Sequence, residues 1–208
     1  MTDSETFVVT YIVEENPDNT LEEVAEVAAS LSAKWFHTMT QLDYPNLDKW
    51  VQQGHRKHLR RARTKDFEKI LAAFPGVLHT NEDETVRVFA SRLHVIGEEG
   101  FPKALSRLQM SNFKFSDSAS TLVEDAPVFI TVNKNLDMSF GKSVIAAAHA
   151  AQLVYQEMDE DSVSEWSASG FANTIAVDEL PRESFVAVID HGLTEVVSGS
   201  VTAVADIR

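Results

Sequence analysis

FITVNKNLDMSFGKSVIAAAHAAQLVYQ, Phe129 to Gln156, carries a change of hydrophobic period. FITVN is β-branched and aromatic, which suits a strand. NLDMSFG is turn-prone, and the alanine-rich run that follows predicts a helix over 141–157. Lys142 and His149 are seven residues apart, about two helical turns, so both side chains lie on one helix face. A cation and an imidazole at the start of a helix, just after a strand, stand where α/β proteins gather their chemistry.

Working toward the C-terminus, Asp159-Glu160-Asp161 reads as a solvated acidic loop and Trp166 as part of a short turn. Strands are expected at 172–177, 185–189 and 200–205. Residues 127–208 thus form a compact β-α-β-β unit. On its other side, SDSASTLVEDAP is polar and aperiodic, which places a linker at 117–126. Before the linker, FVVTYIV (7–13) predicts a strand. Asn19 or Thr20 then caps a helix carrying Leu21, Val24, Val27, Ala28, Leu31 and Trp35 at helical spacing. Tyr44-Pro45-Asn46 breaks it. A second helix is expected from about Leu47 through the basic run, and on to Phe74 with a break near Thr64. VLHT and TVRVFASR flank the acidic turn 81–84 as a hairpin, and 102–109 reads as a short helix. The fold class is α/β in the α+β sense, with an N-terminal α+β module at 1–116. One internal echo, Trp50/Gly54 against Trp166/Gly170, raises a duplication; two unrelated α+β modules remain the simpler reading.

The chain has 208 residues, no cysteine and a net charge of −14. Absence of cysteine excludes a disulfide framework, a thiolate nucleophile and Cys-based metal sites. No run of about 18 apolar residues suggests a membrane span, and the acidic start MTDSETFVV lacks the features of a signal peptide. A cytoplasmic protein is the simplest reading. The charge argues against general nucleic-acid affinity, but it is uneven. Residues 121–208 hold 14 acids and four bases, a net of −10. Residues 1–120 hold 18 acids and 14 bases, a net of −4, and six of those bases fall between Arg56 and Lys65.

The C-terminal module resembles the type-2 peptidyl-tRNA hydrolase family. The resemblance rests on an ordered set: Gly141-Lys142, Ala146, Ala147 and His149-Ala150-Ala151; then Trp166 and Gly170; then FVAVI, Asp190-His191-Gly192-Leu193-Thr194, Gly199 and VTAVADI. It covers about 127–208. It implies a small mixed sheet of four strands with helices on both faces and a homodimeric assembly without metal or cofactor. The implied activity is hydrolysis of the ester joining a peptide to the 3′ ribose of tRNA, a step in translation. Carried over residue by residue, the family's Lys, Asp, Thr and helix His fall on Lys142, Asp190, Thr194 and His149. The chain departs from the family at Ala146-Ala147-Ala148, where Gln-Cys-Ser is usual, and at Leu193-Thr194-Glu195, where Arg-Thr-Gln is usual. The whole chain is similar to two-part actinobacterial members in which a basic His/Arg-Lys-x-x-Arg-Arg-Ala-Arg helix precedes the hydrolase-like module.

Ester hydrolysis needs a positioned water, a proton acceptor and donors for the developing oxyanion. Asp190 follows five apolar residues and is expected at the carboxyl end of a buried strand. Lys142 sits near a helix N-terminus, where cation and backbone N–H groups attract an anion. An ordinary surface ion pair is the plain alternative for Lys142 and Asp190. A packed structural residue is the plain alternative for His149, and His191 stands beside Asp190. The second constellation is His55-Arg56-Lys57-His58-Leu59-Arg60-Arg61-Ala62-Arg63. On a helix Arg56, Arg60 and Arg63 form one stripe with Lys57 and Arg61 beside it, and such a stripe seeks phosphates or acidic side chains. Nucleic acid, tRNA in particular, and docking on the acidic C-terminal half are both open as its partner. No P-loop, GxGxxG, HExxH or GxSxG motif is present. His55 and His58 stand at metal-ligand spacing, but five cations beside them argue against a metal. Two functions follow: an aminoacyl- or peptidyl-tRNA ester hydrolase, or a non-catalytic RNA- or protein-binding protein that keeps the hydrolase fold.

Overall fold

The computed structural model describes residues 5–96, 101–116, 126–191 and 195–208. β1 (Thr6–Glu14) is buried along almost its whole length, as its near-continuous apolar run, interrupted only by Thr10, requires when helices cover both faces of a sheet. Thr20 caps α1 (Leu21–Gln41) in a reciprocal capping box with Glu23, the third residue of the helix. A short α2 (Leu47–Gln52) follows the Tyr44-Pro45-Asn46 break.

The basic run is not helical. Gly54 (φ +81°) and His55 (φ +55°) take left-handed backbone that stops α2. Lys57–Ala62 then forms β2, parallel to β1 in the register Val9↔Lys57 to Glu14↔Ala62. The expected helix from Leu47 to Phe74 therefore splits into α2, β2 and α3 (Thr64–Ala73). Lys and Arg are good helix formers, but six ladder pairs with a buried strand outweigh a local propensity of tenths of a kcal/mol per residue. The hairpin β3 (Gly76–Thr80) and β4 (Arg87–Ser91) pairs as expected around residues 81–84, and β5 (His94–Ile96) pairs with the start of β1. Of the expected helix at 102–109 only α4 (Lys103–Ser106) forms.

In the second half β6 (Val128–Asn133) leads to α5 (Phe140–Glu157). The acidic 159–161 segment is not loop: Asp159 caps α6 (Glu160–Ala168), and Glu160 and Asp161 sit in its first turn, where negative charge suits the helix dipole. β7 (Asn173–Asp178) runs parallel to β6; β8 (Val186–Ile189) and β9 (Val201–Ile207) complete a mixed sheet in the order β7-β6-β9-β8. The first sheet runs β2-β1-β4-β3, the same arrangement, with β5 added against the start of β1.

Each half thus carries its own sheet, and one apolar core joins them. α1 and α5 pack against each other between the two sheets, α1 reaching β7 and α5 reaching β2. Small buried residues on both helices, Ala25, Ala28 and Ala29 on one and Ala147, Ala148 and Ala151 on the other, permit close backbone approach. Tyr11, Trp35 and Trp50 from the first half belong to the same cluster as Ile130, Trp166 and Ile175 from the second. On the far face of the first sheet, Ile12, Phe67, Ile70 and Phe89 make a smaller core under α3. The expected linker lies almost wholly outside the described residues. No described helix is long and apolar enough to cross a membrane.

Candidate functional site

Ser139 caps α5, and its Oγ accepts the Lys142 N–H at 3.3 Å. This fixes Lys142 in the first turn. Asp190 is held just past β8: its N–H donates to Ser200 O at 2.9 Å and its carbonyl accepts the Gly199 N–H at 2.7 Å. Gly199 (φ +88°) supplies the left-handed turn that makes this closure. The two side chains meet as an ion pair with only 15% and 12% of their surfaces exposed. Thr194, the third expected catalytic residue, lies outside the described residues.

Lys142 and Asp190 line a cleft of about 330 Å3 between the two halves. One wall is α5, with Ile145, Ala146 and His149, and the end of β8. The other is the turn Gly54–His58 of the N-terminal half. Among its lining residues are three cations, Arg56, Lys57 and Lys142, four histidines, and one acid, Asp190. In a chain of net charge −14 this is a local reversal of sign.

Burial governs the protonation of that wall. The Lys57 ammonium sits 5.1 Å from the centre of the Trp50 ring and donates to His55 O at 3.4 Å. Burial pulls its pKa down to about 7. His55 is lowered to about 4, by burial first and by Lys57 second. Its ring packs 5.3 Å from that of His149. Burial, reinforced by Lys57 and His55, holds His149 well below the ordinary histidine range, so it is a neutral imidazole at pH 7. His149 thus lines the cleft as an uncharged group. His191 is a further lining residue on the Asp190 side.

The structure divides the other basic residues. Arg56 is exposed and lines the cleft beside Lys57. Arg60 is 8% exposed, donates to Ser106 O at 3.2 Å and Leu108 O at 2.7 Å, and lies over Phe101. Arg61 pairs with Glu15 and Gln109 and donates to Ser111 O at 2.7 Å. Arg63 is 83% exposed, 3.9 Å from Asp66. Arg61 and Arg63 belong to another groove, with Arg107 and Lys114. The single arginine stripe expected from a helix does not exist, because a strand sends neighbours to opposite faces.

Ala146–Ala148 and Glu195 both acquire structural roles. Ala146–Ala148 are buried at 3% or less in the shared core. The Glu195 carboxylate accepts both the N–H and the Oγ–H of Ser139 at 2.7 Å, so it occupies the N-terminus of α5. The helix end expected to attract an anion beside Lys142 therefore already has a carboxylate at its cap. Sequence reasoning also missed the contribution of His55 to the cleft. The signal available was Gly54, a helix stop directly before the basic run.

Among the described residues no group of three or more His, Cys, Asp or Glu side chains is arranged to hold a metal ion. Comparison with known proteins finds no matching family model, curated protein or solved structure.

Proposed function

We propose that the cleft between the halves hydrolyses the ester that joins an aminoacyl or peptidyl group to the 3′ ribose of tRNA, in a cytoplasmic setting. The observation that carries this reading is the Lys142–Asp190 ion pair, opening into a cleft whose opposite wall is basic. Water enters beside Asp190, whose carboxylate takes its proton as the water oxygen bonds to the ester carbonyl carbon. Lys142 stabilises the oxyanion that forms. Collapse of this intermediate breaks the bond to the ribose oxygen, which takes the proton held by Asp190 and leaves as a hydroxyl, restoring the carboxylate. The products are a free carboxylic acid and tRNA.

The test is release of tRNA from a purified peptidyl-tRNA by the intact protein and by Asp190→Ala. Turnover by the first and its loss in the second is expected; no turnover by the unmutated protein sinks the reading for that substrate. A second reading, RNA binding without chemistry, is favoured by one observation: the Glu195 carboxylate sits at the N-cap of α5, taking the N–H and hydroxyl of Ser139 and placing a negative charge beside the site. Its signature is salt-sensitive tRNA binding with no ester cleavage.

A further inference from the structure

The Trp-x-x-x-Gly echo marks a repeat that includes the site. The parallel pair β1/β2 begins at Val9↔Lys57 and the parallel pair β6/β7 at Val128↔Asn173, each continuing for six pairs. This register makes Val9 equivalent to Val128 and Lys57 to Asn173. The antiparallel neighbours keep the same frame: Tyr11↔Ala90 matches Ile130↔Ala205, and Val77↔Ala90 matches Val186↔Ala205. Trp50 donates its indole N–H to Arg56 O, and Trp166 to Ala172 O, at 2.9 and 2.8 Å. Gly54 and Gly170 both have positive φ, as do the residues after them, His55 and Phe171. The caps agree too. Thr20 stands six residues after Glu14 and accepts from Glu23; Ser139 stands six after Asn133 and accepts from Lys142.

In this frame Lys142 corresponds to Glu23, His149 to Ser30, Asp190 to Asn81, and Arg56 to Ala172. A second cavity exists at the corresponding place, of about 520 Å3, built from α1, the end of β3 and the Gly170–Ala172 turn of the other half. Each cavity therefore takes its helix from one half and its turn from the other. Their charges are opposite. The second is lined by Glu23, Glu26, Glu82 and Asp83, and no Lys or Arg is among its lining residues. Where Lys57 approaches His149, Asn173 donates a neutral hydrogen bond to Ser30 at 2.7 Å. Fold conservation does not need this difference, since both cavities are built on the same backbone. Of the two equivalent cavities, the one that keeps the Lys–Asp pair has Lys and Arg among its lining residues and the other has none.

We propose that the chain is an internally duplicated protein in which only one of the two equivalent cavities binds an anion. Arg56 and Lys57 of the N-terminal half clamp a phosphodiester of the RNA 3′ end over Lys142 and Asp190, and the Glu23–Asn81 cavity binds none. The choice of RNA as ligand rests on the hydrolase reading; the opposite charge of the two equivalent cavities does not. One chain then binds one RNA end, and the N-terminal half serves as the substrate-facing wall.

The experiment titrates the full chain with a short single-stranded RNA ending in CCA and a free 3′ hydroxyl, at two salt concentrations. One RNA per chain is expected. Arg56→Ala, at an exposed position, should weaken binding about tenfold and lower the salt slope by about 0.7. Lys57→Met, which keeps the apolar stem, should weaken it similarly, and Glu23→Gln should not change it. Two RNAs per chain, no binding, or binding indifferent to Arg56→Ala and Lys57→Met would each overturn the proposal. One bound RNA with Arg56 dependence but no ester turnover supports the clamp and removes the hydrolase reading. Turnover whose KM is unmoved by either variant does the reverse.

Discussion

Lys57→Met should make the protein more stable while weakening the site. Lys57 is held over Trp50 and its pKa falls from 10.5 to about 7. Between those values the unfolded chain binds more protons than the folded one, so the stability of the wild type rises with pH across that window. At pH 7 the penalty at full weight is about 4 kcal/mol, and attraction to the indole ring together with remaining solvent contact offsets about half of it. Lys57→Met should therefore gain about 2 kcal/mol at pH 7, or about 4–8 °C in Tm for a chain of this size. By pH 9.5 the unfolded lysine is nearer its own pKa and the gain should fall to under about 1 kcal/mol. Urea unfolding at the two pH values measures both numbers. Equal stability of variant and wild type at both, or a gain that does not shrink with pH, would refute the claim that this amine is held against its solvation preference.

Other expectations are independent of that one. Arg60→Ala should destabilise the fold by about 2 kcal/mol, because it leaves the carbonyls of Ser106 and Leu108 without their donor, yet leave RNA affinity of the folded protein unchanged. Glu26 is raised to about 7 by burial and by Glu23. Its folded pKa lies above the unfolded one, so its contribution is full below about pH 4.5 and is lost as pH rises through 7. Glu26→Gln should gain about 1–2 kcal/mol at pH 8 and nothing at pH 4, read by urea unfolding. A Cβ at Gly76 would lie 2.2 Å from Ala90 O and 2.4 Å from the Phe89 ring, and the backbone oxygen cannot yield. Gly76→Ala should therefore cost about 2–3 kcal/mol by calorimetry.

Much of the second half was legible because its elements follow local rules. FITVN, the alanine-rich helix and the last strands carry strong periodic or β-branched patterns, and their observed bounds differ by one or two residues from those expected. The hairpin around 81–84 and the Thr20 cap were equally local. The basic segment was not. Its residues favour helix by themselves, and only pairing with the buried β1, far away in sequence, makes them a strand. Asp159 looked like surface charge and Glu195 only like a carboxylate in place of an amide, and their role as helix-terminus partners depends on which backbone N–H groups lie nearby. Two shared tryptophan–glycine pairs hinted at a repeat, but the hint gained weight only when strand order and register agreed throughout. The cleft was invisible for the same reason: it exists only where one half's helix meets the other half's turn.

The most direct test is a double-mutant cycle on peptidyl-tRNA turnover with Lys142→Met, Asp190→Asn and the pair together. If the two groups act as one catalytic unit, each single change lowers kcat by about 10²–10⁴, and the double variant is no slower than the worse single by more than about threefold. Turnover that survives either single change, or losses that multiply in the double variant, would contradict the account.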